Sequence, residues 1–335
     1  ISIHPLVREV IWSELNPNLT NCKNFLYKFA KYIRFAWGRP LAENIAVLDC
    51  AYAVFKYFAD EPNKSIYIFD PICALFWELG RFEDSQEGYR KLYDSIVKQY
   101  GENSELAGYC AIRYAGSYYN AGQLKESIPW YRKGLELSKQ YCKEENLDLA
   151  LAYEKTARTY IYDENPDYDK AEELFNTAID IRKRLIERAN NGEKIKSIDE
   201  HQDFSIERAE ISNIMTIMEI GRLYQAKGDY ENAYKYADDF IKQYSNYEKK
   251  INSNLAYGYY DAGVCLLNMA QKLDKDSKEK SEMLDKAENL LKEVQKINEE
   301  TRGGMALDTL QNEETLGDVY AEKKQYADAS NCYLA

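Results

Sequence analysis

Apolar positions recur three and four apart through most of the 335 residues, the period that gathers them on one stripe of an α-helix. The stretch IGRLYQAKGDYENAYKYADDF shows how the stripes are organised. A small residue, Gly221, is followed three positions later by Tyr224, then by the turn Gly228-Asp229-Tyr230, then by Ala233 at the head of a second helical stripe. Small residues let two helices approach closely and aromatic residues fill the wedge beside them. The phrase therefore predicts a helical hairpin.

The same phrase returns along the chain. Ala115, Tyr118, Gly122, Leu124, Ser127 and Tyr131 carry it, as do Ala157, Tyr160, Tyr168, Ala171 and Phe175, and Gly317, Tyr320, Tyr326, Ala329 and Tyr333. Weaker copies are Cys73, Phe76, Gly80, Phe82, Ser85 and Tyr89, and Gly263, Leu266, Ala287 and Leu291. The first small residues of successive copies stand 42, 42, 64, 42 and 54 residues apart, which defines a period of 42 with insertions. From first-helix aromatic to second-helix small residue the gap is 9 in four copies, 11 from Tyr160 to Ala171 and 21 from Leu266 to Ala287. Extra turn residues are thus expected around Asp163 to Pro166 and in QKLDKDSKEKSE. The remaining excess falls in ANNGEKIKSIDEHQDF, which is polar, contains glycine and reads as an exposed loop.

These residues resemble the tetratricopeptide repeat, with its small-xx-aromatic first helix and small-xxx-aromatic second helix. The 42-residue period resembles that of kinesin light chains and of sensor arrays in multidomain signalling ATPases. The resemblance implies an all-α fold, a right-handed superhelix (α-solenoid) of tetratricopeptide-type helical hairpins. Each hairpin buries its apolar face against its neighbours and leaves a groove. The expected division is six repeats over 65–335, the last truncated, preceded by a degenerate N-terminal helical pair over 17–64. Its helices are LTNCKNFLYKFAKYIRFAW and LAENIAVLDCAYAVFKYF, parted by Gly38-Arg39-Pro40.

ISIHPLVREVIW places Ile3, Leu6, Val7, Val10 and Ile11 on one helical stripe, and no initiator Met precedes it. It resembles the end of the winged-helix module of NB-ARC-type signal-transduction ATPases of the STAND class. There, a Met-His-Asp-Leu-like motif opens a helix running toward the sensor repeats. Ile3, His4, Pro5 and Leu6 occupy those places, Pro5 departing from the acidic residue. The resemblance implies that His4 senses nucleotide in a full-length protein, that residues 1–16 end an upstream winged-helix-like module, and that the repeats contact a missing nucleotide-binding domain. The chain is expected to be a piece excised at both ends.

Composition fits long helices: Gly and Pro number only 16 and 7, and Tyr reaches 30. A formal charge of −12 opposes nucleic acid and anionic membranes as partners, and no apolar run of eighteen residues occurs. Seven cysteines without a CxxC pair read as small buried thiols in a reducing, cytoplasmic setting, with neither disulfides nor metal. No GxxxxGK[ST], HExxH, GxSxG or dinucleotide fingerprint is present, and two histidines cannot furnish a triad. No catalysis and no cofactor are expected.

Binding is expected in the groove. On each first helix the stripe beside the small residue and its aromatic should face it. This gives Tyr109, Arg113, Tyr119 and Asn120; Lys155, Arg158 and Tyr162; Met215, Met218 and Arg222; and Tyr257, Tyr260 and Asn268. Tyr, Met and Arg are enriched at recognition surfaces, and four cations gather in an acidic protein, which points to an acidic protein or peptide ligand. A competing expectation is that these residues pair with Glu154, Glu219 and Asp261 and only solubilise the groove. The function expected is a ligand-sensing array of a larger ATPase, with a free-standing adaptor or chaperone-like scaffold as the alternative.

Overall fold

A computed structural model describes residues 18–34, 41–58, 66–198, 204–247, 253–274, 277–301 and 307–334. Among them the chain forms fourteen α-helices and no strand: α1 (Lys23–Ile33), α2 (Leu41–Phe58), α3 (Ile66–Glu78), α4 (Phe82–Tyr100), α5 (Glu105–Asn120), α6 (Leu124–Tyr141) and α7 (Leu147–Ile161), then α8 (Tyr168–Asn190), α9 (Ile206–Ala226), α10 (Tyr230–Tyr247), α11 (Ser253–Gln271), α12 (Lys278–Thr301), α13 (Leu307–Glu322) and α14 (Tyr326–Leu334). They divide into two compact units. Unit 1 holds residues up to Glu164 together with Glu187–Phe204, and unit 2 holds Asn165–Ile186 and Ser205 onward.

The hairpin turns explain the spacing of the sequence phrase. The amides of Arg81, Gln123, Asp229 and Gln325 donate to the carbonyls of Phe76, Tyr118, Tyr224 and Tyr320, the aromatic residue of each copy. The residue four after the aromatic takes the left-handed conformation, at φ 71°, 75° and 76° for Gly80, Gly122 and Gly228, and 62° for Lys324. This is the Schellman closure of a helix C-terminus, in which glycine avoids the Cβ clash. The stretch Gln271 to Glu282, expected to hold inserted turn residues, is divided: α11 runs to Gln271, and α12 already begins at Lys278. The Lys, Glu and Ser residues there favour helix once a neighbour covers its apolar side.

In unit 1, Leu26, Ala30 and Ile33 of α1 join Phe69, Ile72, Cys73 and Phe76 of α3, Leu92 of α4 and Cys110 and Ala111 of α5 in one buried cluster. Both α1 and α2 pack on α3. Phe76 fills its wedge between the rings of Tyr52 and Phe55, at centroid distances of 4.7 and 5.6 Å. Helices α5 and α6 approach almost backbone to backbone. A Cβ added at Gly134 would lie 3.0 Å from the Ile112 amide nitrogen and 2.7 Å from its side chain. The unit 2 cores centre on Ile214, Met218, Phe240 and Tyr244, and on Leu266, Leu284, Leu291 and Val319. Arg182 is buried, its guanidinium donating to Thr216 Oγ1 at 2.8 Å. All seven cysteines are free thiols, and burial pushes those of Cys142 and Cys265 up to about 12. Among the described residues no helix is long and apolar enough to cross a membrane, and no group of His, Cys, Asp and Glu is placed to hold a metal.

Candidate functional site

The site in unit 1 is built around one buried carboxylate. Asp70 lies in the apolar run IYIFDPICALFWE of α3, followed by Pro71 inside the helix. Proline has no amide hydrogen, so the carbonyl four residues earlier, that of Tyr67, loses its helical partner. Arg34 replaces it: its Nη2 donates to the Tyr67 carbonyl at 3.2 Å, and its guanidinium lies 4.5 Å from the Tyr67 ring centroid. The kink-prone turn is held, and Asp70 is fixed. Tyr89 Oη donates to Asp70 Oδ1 at 3.0 Å, Tyr109 Oη donates to Oδ2 at 3.2 Å, and Arg113 Nε stands 3.5 Å from Oδ1.

The electrostatics keep this cluster in one state. Burial, then the neighbouring Asp70, pushes the Tyr89 phenol well above its usual range. Burial does the same for Tyr109 against the opposing Arg113. Both phenols stay neutral donors. Burial works against the charge of Arg113, but Asp70 and the two phenols hold its pKa well above the ordinary arginine value.

Beside this cluster, α3, α5 and α7 enclose a cavity of about 340 Å³. Trp77, Tyr119 and Tyr131 supply aromatic lining, and Arg113, Asn120, Lys155 and Arg158 supply polar lining, with Glu78 at its edge. A second buried carboxylate, Glu154, underlies the far side. Lys155 Nζ is 2.8 Å from its Oε1 and Arg158 Nη2 is 3.8 Å away. The Arg158 guanidinium also lies 5.5 Å from the Tyr119 ring centroid, within cation–π range. Arg113, Lys155 and Arg158 therefore present partly exposed cationic faces to the cavity while carboxylates hold them from behind. Such a site offers fixed, partly desolvated N–H donors next to flat apolar surface.

The structure thus brings together Arg113, Tyr119, Asn120, Lys155 and Arg158 of the residues singled out in the sequence. Tyr109 is buried behind the lining, bonded to Asp70, and Tyr162 is exposed just past α7. The others lie in unit 2. Met218 is buried among Ile214, Phe240 and Tyr244, with Met215 and Tyr257 packed against that cluster. Arg222 Nε donates to Asp261 Oδ2 at 2.8 Å and its Nη1 is 3.5 Å from Glu219 Oε1, with the Tyr257 ring 5.7 Å away. The Tyr260 and Thr315 hydroxyls are 3.3 Å apart, and Asn268 Nδ2 bonds the Val264 carbonyl of its own helix. His4 lies outside the described residues. Sequence reasoning missed Asp70, Tyr89, Trp77 and Tyr131. The available signal was Asp70 itself, a charge in an otherwise apolar helical run, which is rare unless the charge is paired.

Family models of the tetratricopeptide repeat match residues 109–184 and 216–247, so the chain carries tetratricopeptide repeats in both units. Neither match is to a catalytic family. No curated protein matches the chain. Among solved structures it is similar to the apo form of RapI, at 15% identity over 93% of this chain and 94% of that one, with a TM-score of 0.55. It is also similar to the apo quorum sensor NprR from B. thuringiensis (14%, 98% and 90%, 0.52) and to a Rap protein complexed with competence and sporulation factor (16%, 99% and 78%, 0.52). At these identities the likeness is one of fold.

Proposed function

We propose that the chain is a non-catalytic binding module whose unit 1 cavity takes an acidic segment of a partner protein or a peptide. The observation that carries this reading is the set of three cations, Arg113, Lys155 and Arg158, held by buried carboxylates around an aromatic cavity. An arriving carboxylate meets donors whose geometry is already fixed, and each charge-assisted contact contributes roughly 1.5–3 kcal/mol. The Rap protein solved with a factor bound and the sensor NprR make ligand capture a reasonable use of such a fold, by analogy only. Selection of random peptides on the immobilised chain tests it. Enrichment of Asp- and Glu-bearing sequences whose binding weakens with salt and is lost in Arg158→Glu supports the reading. Enrichment indifferent to that substitution overturns it.

The setting is part of the same proposal: a cytoplasmic sensor array, divided at about residues 17 and 65, that reports occupancy to an upstream nucleotide-binding domain through the segment containing His4. It rests on the resemblance of ISIHPLVREVIW, with Ile3 to Leu6 in the motif places, and on the 42-residue period. The coding sequence before Ile1 decides it. A P-loop ATPase in frame supports the sensor, and an initiator Met beside Ile1 supports the free-standing adaptor or chaperone-like scaffold instead.

A further inference from the structure

Unit 1 contains a second, larger cavity, of about 530 Å³, that shares no lining residue with the groove. One wall is the start of α5 with the loop before α7, including Glu105, Leu106 and Glu144. The other is an extended piece of the same unit, Glu193 to Ile198, which contributes Ile195, Lys196 and Ile198. This piece lies on the helices as a bound peptide would. Ile195 is buried, and Ile198 packs against the core cluster that contains Ala107, Cys110 and Leu137.

Its first residue is tied to α8, where Arg188 Nε donates to Glu193 Oε2 at 2.8 Å, and beyond that hinge the polar contacts are longer. The Ile198 amide donates to Asp148 Oδ2 at 3.4 Å, and Lys196 Nζ is 4.0 Å from Glu144 Oε1 between side chains 79% and 56% exposed. Exposed pairs of that kind contribute about 0–1 kcal/mol. Beyond the Glu193 amide, which donates to the Arg188 carbonyl at 3.0 Å, no backbone ladder joins residues 194–198 to the helices among the described residues, and the cavity beside them remains open. The facing wall carries Glu105 and Glu144 with Lys143, and Asp148 meets the Ile198 amide, a net negative set that complements the lysines of the sequence Glu-Lys-Ile-Lys-Ser-Ile.

We propose that residues 193–198 are a displaceable strap. The cleft they cover binds, in trans, an extended segment with two branched apolar residues three positions apart, flanked by lysines, the pattern the chain lays there in cis. A tethered occupant competes at an effective concentration in the millimolar range, so a free ligand binds with an affinity reduced by the fraction of time the strap is away. The charge preference is opposite to that of the groove at Arg158, so the two sites are told apart by ligand sign.

The probe is a fluorescein-labelled, acetylated and amidated peptide of residues 193–198, followed by anisotropy against the full chain. Ile195→Asp with Ile198→Asp removes the strap's apolar anchors, and this variant is expected to bind the peptide about tenfold tighter than the unaltered chain. Lys196→Glu alters only an exposed side chain, and a two- to threefold gain is expected. Asp148→Lys added to the double variant should abolish the gain. A folded double variant that binds no tighter, or a scrambled peptide of the same composition that binds equally well, overturns the proposal. Should the double variant fail to fold, the absence of any gain in Lys196→Glu overturns it alone.

Discussion

In unit 1 the buried Asp70 receives two phenols and one guanidinium, whereas in unit 2 the single guanidinium of Arg222 is shared by Glu219 and Asp261. The corresponding stripe of different repeats therefore carries different charge balances. Around the unit 1 cavity three cations face three carboxylates, Glu78 included, and in unit 2 one cation faces two. The effect on acidity is visible at Asp261, whose carboxyl burial raises and Arg222 only partly restores, with Glu219 raising it further. In unit 2 the acceptors around Arg222 outnumber the cation, whereas around the unit 1 cavity they do not. An arginine at the repeat's groove-facing position does not by itself define a site. The carboxylates beside it decide how much of its charge is already answered.

The largest expected effect comes from breaking the unit 1 cluster. Asp70→Ala strands Arg113 and two buried phenols, and loss of one partner from such a cluster costs about 3–5 kcal/mol. All four tryptophans, Trp12, Trp37, Trp77 and Trp130, fall in the chain span assigned to unit 1. Urea unfolding followed by tryptophan fluorescence therefore reads this loss directly. A change under about 1 kcal/mol would show the cluster to be ornamental.

Arg222→Met leaves two carboxylates buried together, and we expect about 3 kcal/mol of destabilisation at neutral pH, read as faster amide exchange in α9 and α11. Acidification should restore much of it, since the stranded carboxyls then take up protons. In the unaltered protein the sign at Asp261 is the same. A carboxyl whose folded pKa is raised binds its proton more tightly when folded, so its stabilising contribution is full below the ordinary value of 3.8 and is lost as pH rises through the folded value. Glu288 runs the other way. Although burial opposes its charge, Lys292 and Lys323 hold its pKa below the ordinary 4.5, so its contribution is present above that value and is lost as pH falls through the folded one. Asp261→Asn should remove the first dependence from pH-resolved exchange in α11 and leave the second, in α12, intact.

The smallest effect sharpens the turn rule. Lys324 holds at φ 62° the place that glycine holds in three other hairpins. Lys324→Gly should raise stability by about 0.5–1 kcal/mol, the left-handed penalty of an L-residue less the added freedom of glycine when unfolded. A melting temperature lowered by this change would contradict the Schellman assignment at that turn.

Much of the fold was legible because the hairpin phrase is local. The distance from Tyr118 to Gly122, or from Tyr224 to Gly228, is fixed by one turn's hydrogen bonds, and such spacing survives in a linear text. Of the residues lining the candidate cavity, those legible were the ones that follow from helical phase, Arg113, Lys155 and Arg158. Asp70 escaped because its meaning depends on partners 19, 39 and 43 residues away in sequence, Tyr89, Tyr109 and Arg113. Pro71 conceals the region further, since a proline ordinarily marks a helix boundary. Here the helix continues, through a guanidinium 33 residues upstream of the Tyr67 carbonyl it satisfies. Met218 shows the converse: helical phase put it on the groove stripe, and it lies buried among Ile214, Phe240 and Tyr244.

That distant guanidinium sets a lower limit on what can be trimmed. A fragment cut to begin at Ile66 would keep α3 to α14 and yet open the Tyr67 carbonyl to water. It would also strip Leu26, Ala30 and Ile33 from the face of α3 and remove the ring of Tyr27 that meets Tyr67 edge-on at 5.0 Å. For anyone transplanting this array into another protein, the smallest portable cassette starts before α1, and the arginine that follows α1 travels with it as a bolt.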